Sequence, residues 1–217
     1  TFAGYCDPTA VYNDIDPTEE FTTERINALR ELDKETDYVK NLSKVYAGCE
    51  KLTGEVAFFV EQVTGHLIPD MRYALKHGVK TMLSDIEEKQ KNANAEQYDN
   101  YEAMKIALDC ALILAKRYKA IAEEKLAVAE GERKEELALL VDTLEKVPEN
   151  GAETLYEAIQ SFIILWETMC LEQAPNPFAF SVGNADRIFE PYRANENLSR
   201  EETAALFKHF LVFFNVG

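Results

Sequence analysis

YEAMKIALDCALILAKRYKAIAEEKLAVAEGERKEELALLVDTLEKVPENGAETLYEAIQ, residues 101–160, is the stretch whose reading decides the fold. Tyr101, Met104, Leu108, Leu112, Ala115 and Tyr118 recur at intervals of three and four, the spacing of one helix face. They predict a long helix over 96–129 with these six as its apolar stripe. Gly131 interrupts it. Leu137, Leu140, Val141 and Leu144 restart the period in a further helix that stops at Pro148, since proline cannot continue the hydrogen-bond ladder. Thr154 with Glu157 is a capping box: the hydroxyl accepts from the third backbone N–H and the carboxylate reaches back. The helix so opened runs to about Glu172. Its run Phe162-Ile163-Ile164-Leu165-Trp166 is apolar nearly all round, so this helix should be central.

Working upstream, residues 1–17 show no clear period and read as an irregular opening segment. Ile26, Leu29 and Leu32 have helical spacing in a first helix over roughly 18–35, and Leu42, Val45, Tyr46, Cys49 and Leu52 continue it in a second. Val56 to Val63 suits either helix or strand. Pro69 suits the first turn of a short helix that Gly78 stops, with Lys76 and His77 favoured in its last turn. A charged stretch from Asp85 to Asn100 follows. Downstream, 173–198 reads as the one long non-helical stretch, punctuated by Pro175, Pro177, Gly183 and Pro191. Ser199 with Glu202 is a second capping box opening a final helix. Short strands are expected at most at Phe178–Val182 and Phe210–Val216. The class is mainly α, in one domain: 1–95 irregular with short helices, 96–172 long helices, 173–217 loop and final helix.

Composition excludes several functions. The 217 residues are 47% hydrophobic and 29% charged, so the chain can bury a core and is not compositionally disordered. A net charge of −16, with basic residues scattered among acidic neighbours, argues against nucleic acid and anionic membrane surfaces, which need clustered Lys and Arg. Cys6, Cys49, Cys110 and Cys170 form no CxxC and show no zinc spacing with the three histidines. Widely spaced cysteines without a disulfide framework fit a reducing compartment, hence the cytoplasm. No apolar run is long enough to span a bilayer. Because the chain opens on Thr1 and stops at Gly217, just after the apolar run Phe210–Phe214, both ends read as cuts in a longer chain.

The order within 101–160 is specific. It has an apolar helix reaching Lys116-Arg117-Tyr118, an Ala/Glu continuation, a restart at Arg133-Lys134-Glu135-Glu136-Leu137, then Val147-Pro148 and the Thr154 helix. It resembles the helical region of the glycyl radical enzymes, the pyruvate formate-lyase and glycerol dehydratase superfamily. A second match is Ser181-Val182-Gly183-Asn184-Ala185-Asp186-Arg187 followed by Pro191-Tyr192, where the family carries a Ser-x-Gly-Arg-x-Asp type segment. Asn184 stands where the family usually has Arg, which removes a fixed cation with five donors. A third is Gly65-His66-Leu67-Ile68-Pro69-Asp70, similar to the family's Gly-His segment before a short helix. The resemblance is strongest over 96–215 and weaker before residue 60.

The resemblance implies the helical layer around a ten-stranded α/β barrel. It implies substrate contacts from His66 and Ser181, whose side chains can donate to and accept from hydroxyls, and a loop-structuring role for Asn184 and Asp186. The family's catalytic cysteine loop and its Arg-Val-x-Gly-Tyr type radical motif are absent from these 217 residues. Cys49, Cys110 and Cys170 lie in helical stretches and read as small buried hydrophobes. Glu167 and Glu172 read as the solvated end of their helix, and Tyr98, Tyr101, Tyr118, Phe162 and Trp166 as core. No catalytic residue, metal or bound cofactor is therefore expected in this segment. The parent's glycyl radical would be installed by a separate iron–sulfur activase using S-adenosylmethionine, and would drive C–C, C–O or C–N cleavage on a small molecule. Formate acetyltransferase and dehydratase chemistry both belong to such a family. The segment would supply scaffold and cavity wall, be inactive alone, dock on the remainder of its own barrel and belong to a possible homodimer. That reading predicts exposed apolar surface around Phe210–Phe214 and the 162–166 helix. The competing reading, from another class, is a non-catalytic acidic helical interaction module with a partner groove.

Overall fold

The computed structural model describes residues 1–4, 22–53, 68–172 and 181–213. Every regular element among them is a helix: α1 Thr23–Lys34, α2 Asp37–Thr53, α3 Met71–Gln90, α4 Ala95–Val128, α5 Gly131–Lys146, α6 Leu155–Glu172, α7 Ala185–Arg193 and α8 Arg200–Val212. The chain divides into two units. In the smaller, α1 and α2 are successive helices joined at Glu35 and Thr36. The larger unit holds α3–α8 and the segment Thr1–Gly4.

At the centre of the larger unit lies α6, packed on α3, α4, α5, α7 and α8. Its apolar run is buried as expected: Phe162, Ile163 and Ile164 are closed to solvent. Two apolar clusters use opposite faces of it. Leu155, Ile159, Phe162 and Trp166 join Met71 and Leu75 of α3, Ile188, Phe189 and Tyr192 of α7 and Phe210 of α8. Ile164 joins Ala111, Ala115 and Ala122 of α4 with Leu137, Leu140 and Leu144 of α5. Phe162, Phe189 and Phe210 meet edge-on or tilted at centroid distances of 5.3–5.8 Å, the geometry that aromatic quadrupoles favour.

An extended strap, Thr1–Gly4, bridges the two clusters. Phe2 enters the first and Ala3 the second, because successive side chains of an extended segment point to opposite sides. Gln160, fully buried in α6, binds its backbone twice. Its Oε1 accepts from the Ala3 N–H at 2.7 Å and its Nε2 donates to the Ala3 carbonyl at 2.8 Å. Phe2 also stacks on Tyr156 at 4.7 Å.

The capping boxes at Thr154 and Ser199 both form, and Glu196 accepts a further α6 amide, from Leu155, at 2.6 Å. Gly78 does break the helix of Met71, with φ 76° and ψ 164°. The helix does not end there, however, but resumes to Gln90. The break is stabilised by the turn after α5. Val79 and Lys80 donate to the carbonyls of Pro148 and Glu149 at 2.9 and 3.0 Å, and Ala152 donates to Leu75 at 2.8 Å. Acceptors from another segment thus replace those that the broken turn lacks.

Other expectations are corrected. The helix read as stopping at Gly78 runs on into the charged stretch, since α3 reaches Gln90, and an Asn94–Gln97 capping box opens α4 at Ala95, close to the expected start. Within the stretch read as non-helical, residues 185–193 form α7. Phe210–Val212 are the last turn of α8 rather than a strand, and Ser181 and Val182 are not in one. Met104 and Tyr98 are exposed, because the stripe on α4 shifts to Ala111, Ala115 and Ala122 where α5 and α6 pack. Cys110 is exposed, on the far side of α4. Glu167 is only 5% exposed rather than solvated, and Tyr118 donates to its Oε2 at 3.2 Å. Of the apolar surface expected around Phe210–Phe214 and the 162–166 helix, Leu211 and Val212 are exposed, whereas Phe210, Phe213 and the 162–166 run are buried apart from the half-buried Leu165. Val56–Val63, Cys6 and the side chains of Cys49 and Glu172 lie outside the described residues.

Candidate functional site

The loop Ser181-Val182-Gly183-Asn184 leads into α7 and faces the segment Ile68-Pro69-Asp70 that leads into α3. The Ser181 hydroxyl accepts from the Gly183 N–H at 3.1 Å, closing a local turn. Gly183 holds φ at 72°, where side chains are disfavoured. A Cβ there would also meet Ile68 Cγ2 at 2.8 Å, so the close approach of the two loops depends on this glycine. Asn184 occupies the N-cap position of α7 without a side-chain capping bond. Its carbonyl accepts from the Arg187 and Ile188 amides at 2.9 and 3.0 Å. Across from it, the Asp70 carboxylate caps α3 through the Tyr73 amide.

Between these loops lies a hollow of about 240 Å³ lined by Asp70, Arg72, Asn184 and Arg187 over a floor of Met71 and Ile188. It shares Arg72 and Arg187 with a second hollow of about 470 Å³ that runs along Lys76 and Tyr192. The rim thus offers two guanidiniums, an ammonium, a carboxylate and an uncommitted amide around an apolar base. That combination suits a small polar molecule bearing an anionic group.

Of the residues singled out in the sequence, Asn184 lines the hollow. Ser181 is exposed at the start of the same loop and is committed to Gly183. Asp186 is exposed in the first turn of α7 and is not part of the lining. His66 lies outside the described residues, two positions before the lining residue Ile68. The sequence reading missed Arg72 and Arg187. One signal was available: Arg187 follows Asn184 by three, which places both on one side of the first turn. No comparable signal marks Arg72, which only tertiary packing brings across. Among the described residues no group of three His, Cys, Asp or Glu side chains could hold a metal, and no helix is long and apolar enough to cross a membrane.

A family model described as "pyruvate formate lyase-like" matches residues 18–216. Trans-4-hydroxy-L-proline dehydratase of Clostridioides difficile is 32% identical over 175 residues, covering 73% of this chain and 21% of that protein. The crystal structure of hydroxyproline dehydratase from Clostridioides difficile, with trans-4-hydroxy-L-proline bound, superposes with a TM-score of 0.66 at 24% identity, over 90% of this chain and 25% of that one. A glycyl radical enzyme from Archaeoglobus fulgidus gives a TM-score of 0.65 at 24% identity, over 70% and 21%. The chain therefore spans about a fifth of the length of the curated relative it matches.

Proposed function

Because the chain belongs to the pyruvate formate lyase-like family, we propose that it forms part of the substrate-cavity wall of a glycyl radical dehydratase acting on a small hydroxylated molecule. The observation that carries this reading is the hollow between 68–72 and 183–188. The two sequence segments that mark the family border it, and its rim is polar over an apolar base. Hydroxyproline dehydratase is the relative at 32% identity, which favours dehydration over acyl transfer. Arg187 and Arg72 supply positive charge to the hollow in which Asn184 replaces the family's usual Arg. A substrate with a carboxylate is thereby favoured over a neutral diol, since a guanidinium pairs with carboxylate through two parallel hydrogen bonds.

In this reading the chain's residues bind and orient, while the glycyl radical, installed by an S-adenosylmethionine iron–sulfur activase, supplies hydrogen abstraction from elsewhere. Ser181 and His66 would contact the substrate hydroxyl. Neither the catalytic cysteine loop nor the radical glycine motif is present in these 217 residues, so the chain alone should form no product.

The test is a nuclear magnetic resonance titration of the 217-residue chain with trans-4-hydroxy-L-proline, glycerol and 1,2-propanediol. Shifts confined to 68–72 and 181–188, larger for the amino acid and lost in Arg187→Ala, are expected. Shifts elsewhere, or none, would sink the assignment of the hollow. In parallel, anaerobic incubation with an activase should give no dehydration, and turnover by the purified chain would overturn the scaffold role.

A further inference from the structure

The larger of the two hollows has a lining of its own. Lys76, Tyr192 and Asn195 border it and not the smaller one, whose own polar residues are Asp70 and Asn184. Arg72 and Arg187 belong to both. Three cations therefore surround about 470 Å³ in a chain whose net charge is −16. None of the three forms an ion pair among the described residues. The acidic lining residue, Glu153, is engaged by Lys146 at 2.7 Å, so its charge is offset from outside the hollow.

Tyr192 is a second and independent observation. It is only 9% exposed, yet its hydroxyl makes no hydrogen bond among the described residues. Buried hydroxyls normally have a partner, and one without it keeps its desolvation cost. Burial also raises this phenol above its ordinary pKa, so it remains a donor. Two guanidiniums, an ammonium and a phenol hydroxyl thus converge beside the apolar surface of Ala152, Ile188 and Pro191.

We propose that the larger hollow is a second binding site, for a small phosphate monoester. Its phosphoryl oxygens would accept from Arg72, Lys76, Arg187 and the Tyr192 hydroxyl, with the organic part resting on Ala152, Ile188 and Pro191. Charge selects the class. A carboxylate has one charge and two oxygens, which a single guanidinium fork satisfies. A phosphate monoester carries nearly two charges and three terminal oxygens at neutral pH, a match for three cations and a neutral donor. This site stands independently of what the smaller hollow takes.

The experiment is a nuclear magnetic resonance titration of the 217-residue chain with phenyl phosphate, and with benzoate for comparison. Saturable shifts are expected at the amides of Lys76, Ala152, Tyr192 and Asn195. Phenyl phosphate should bind about tenfold more tightly than benzoate, the effect of about one further charge-assisted hydrogen bond. Tyr192→Phe should weaken phenyl phosphate about tenfold on the same scale, and Lys76→Ala severalfold. The free Tyr192→Phe chain should melt no lower than the parent, since the hydroxyl it loses has no partner in the fold. A lower melting temperature would show that the hydroxyl was already paired and overturn the proposal. So would equal binding of benzoate, shifts confined to 68–70 and 183–184, shifts scattered over exposed lysines elsewhere, or no saturable shift at all. Phenyl phosphate binding at the larger hollow with no response of the smaller to trans-4-hydroxy-L-proline would sink the substrate reading and support this site.

Discussion

Gln160 is the side chain on which the strap depends. It is polar, fully buried and satisfied at both ends of its amide. Gln160→Leu keeps the volume but strands the Ala3 N–H and carbonyl in the core. A buried unpaired polar group costs about 1–3 kcal/mol, so the urea midpoint should fall accordingly, whereas a Lys134→Leu change on the exposed face of α5 should move it far less. Two partly buried groups make stability depend on pH. Burial, with a smaller push from the Glu167 charge, raises the Cys170 thiol from 9.0 to about 11. Burial also raises Tyr156, with Glu136 adding and Arg133 opposing. Each is neutral when protonated, and the unfolded chain gives up the Cys170 proton first as pH climbs. Stability should therefore hold to about pH 9 and fall towards pH 11. A melting series across that window checks this, and Cys170→Ala combined with Tyr156→Phe should flatten the slope. At this scale the sequence says least. Glu167 looked like a solvated helix end because its phenol partner, Tyr118, is 49 residues away, and periodicity carries no information over that distance.

Elements were far more legible. Both capping boxes and the centrality of α6 follow from local chemistry, and the structure contains them. The misreadings fall where tertiary partners override a local stop. Gly78 looked terminal, yet α3 resumes because Pro148 and Glu149 offer carbonyls to its next two amides. Short α7 was hidden among the prolines and glycine around it, since Pro191 sits inside it. Gly78→Ala tests the break directly. The conformation at φ 76° and ψ 164° is almost confined to glycine, and an added Cβ would lie 2.4 Å from the Asn150 carbonyl carbon. Strain of this kind costs about 1–3 kcal/mol before any clash is counted. A loss of about 3 kcal/mol or more is expected by denaturant titration, against far less for Gly131→Ala, where a Cβ meets open space, although φ is positive there too.

For the whole molecule, the strap joins what the helices alone leave as two clusters. Deleting Thr1–Gly4 removes Phe2, worth about 2 kcal/mol of burial, and leaves the Gln160 amide unpaired at about 1–3 kcal/mol. Together these should lower unfolding free energy by about 3–5 kcal/mol, more than the Gln160→Leu change, and that ordering distinguishes a bridging strap from a passive tail. The candidate site was legible only as segments: the sequence marked 65–70 and 181–187, but Arg72 and Arg187 come to line one hollow only through packing. The turn seated in the break of α3 has a consequence in time. Val79 and Lys80 give their amide hydrogens to a different part of the chain, so these two hydrogens can be released only when residues 148–149 lift away. In deuterated solvent they should exchange in step with each other and with the Ala152 amide, on the clock of one shared opening rather than by fraying from either end of the helix.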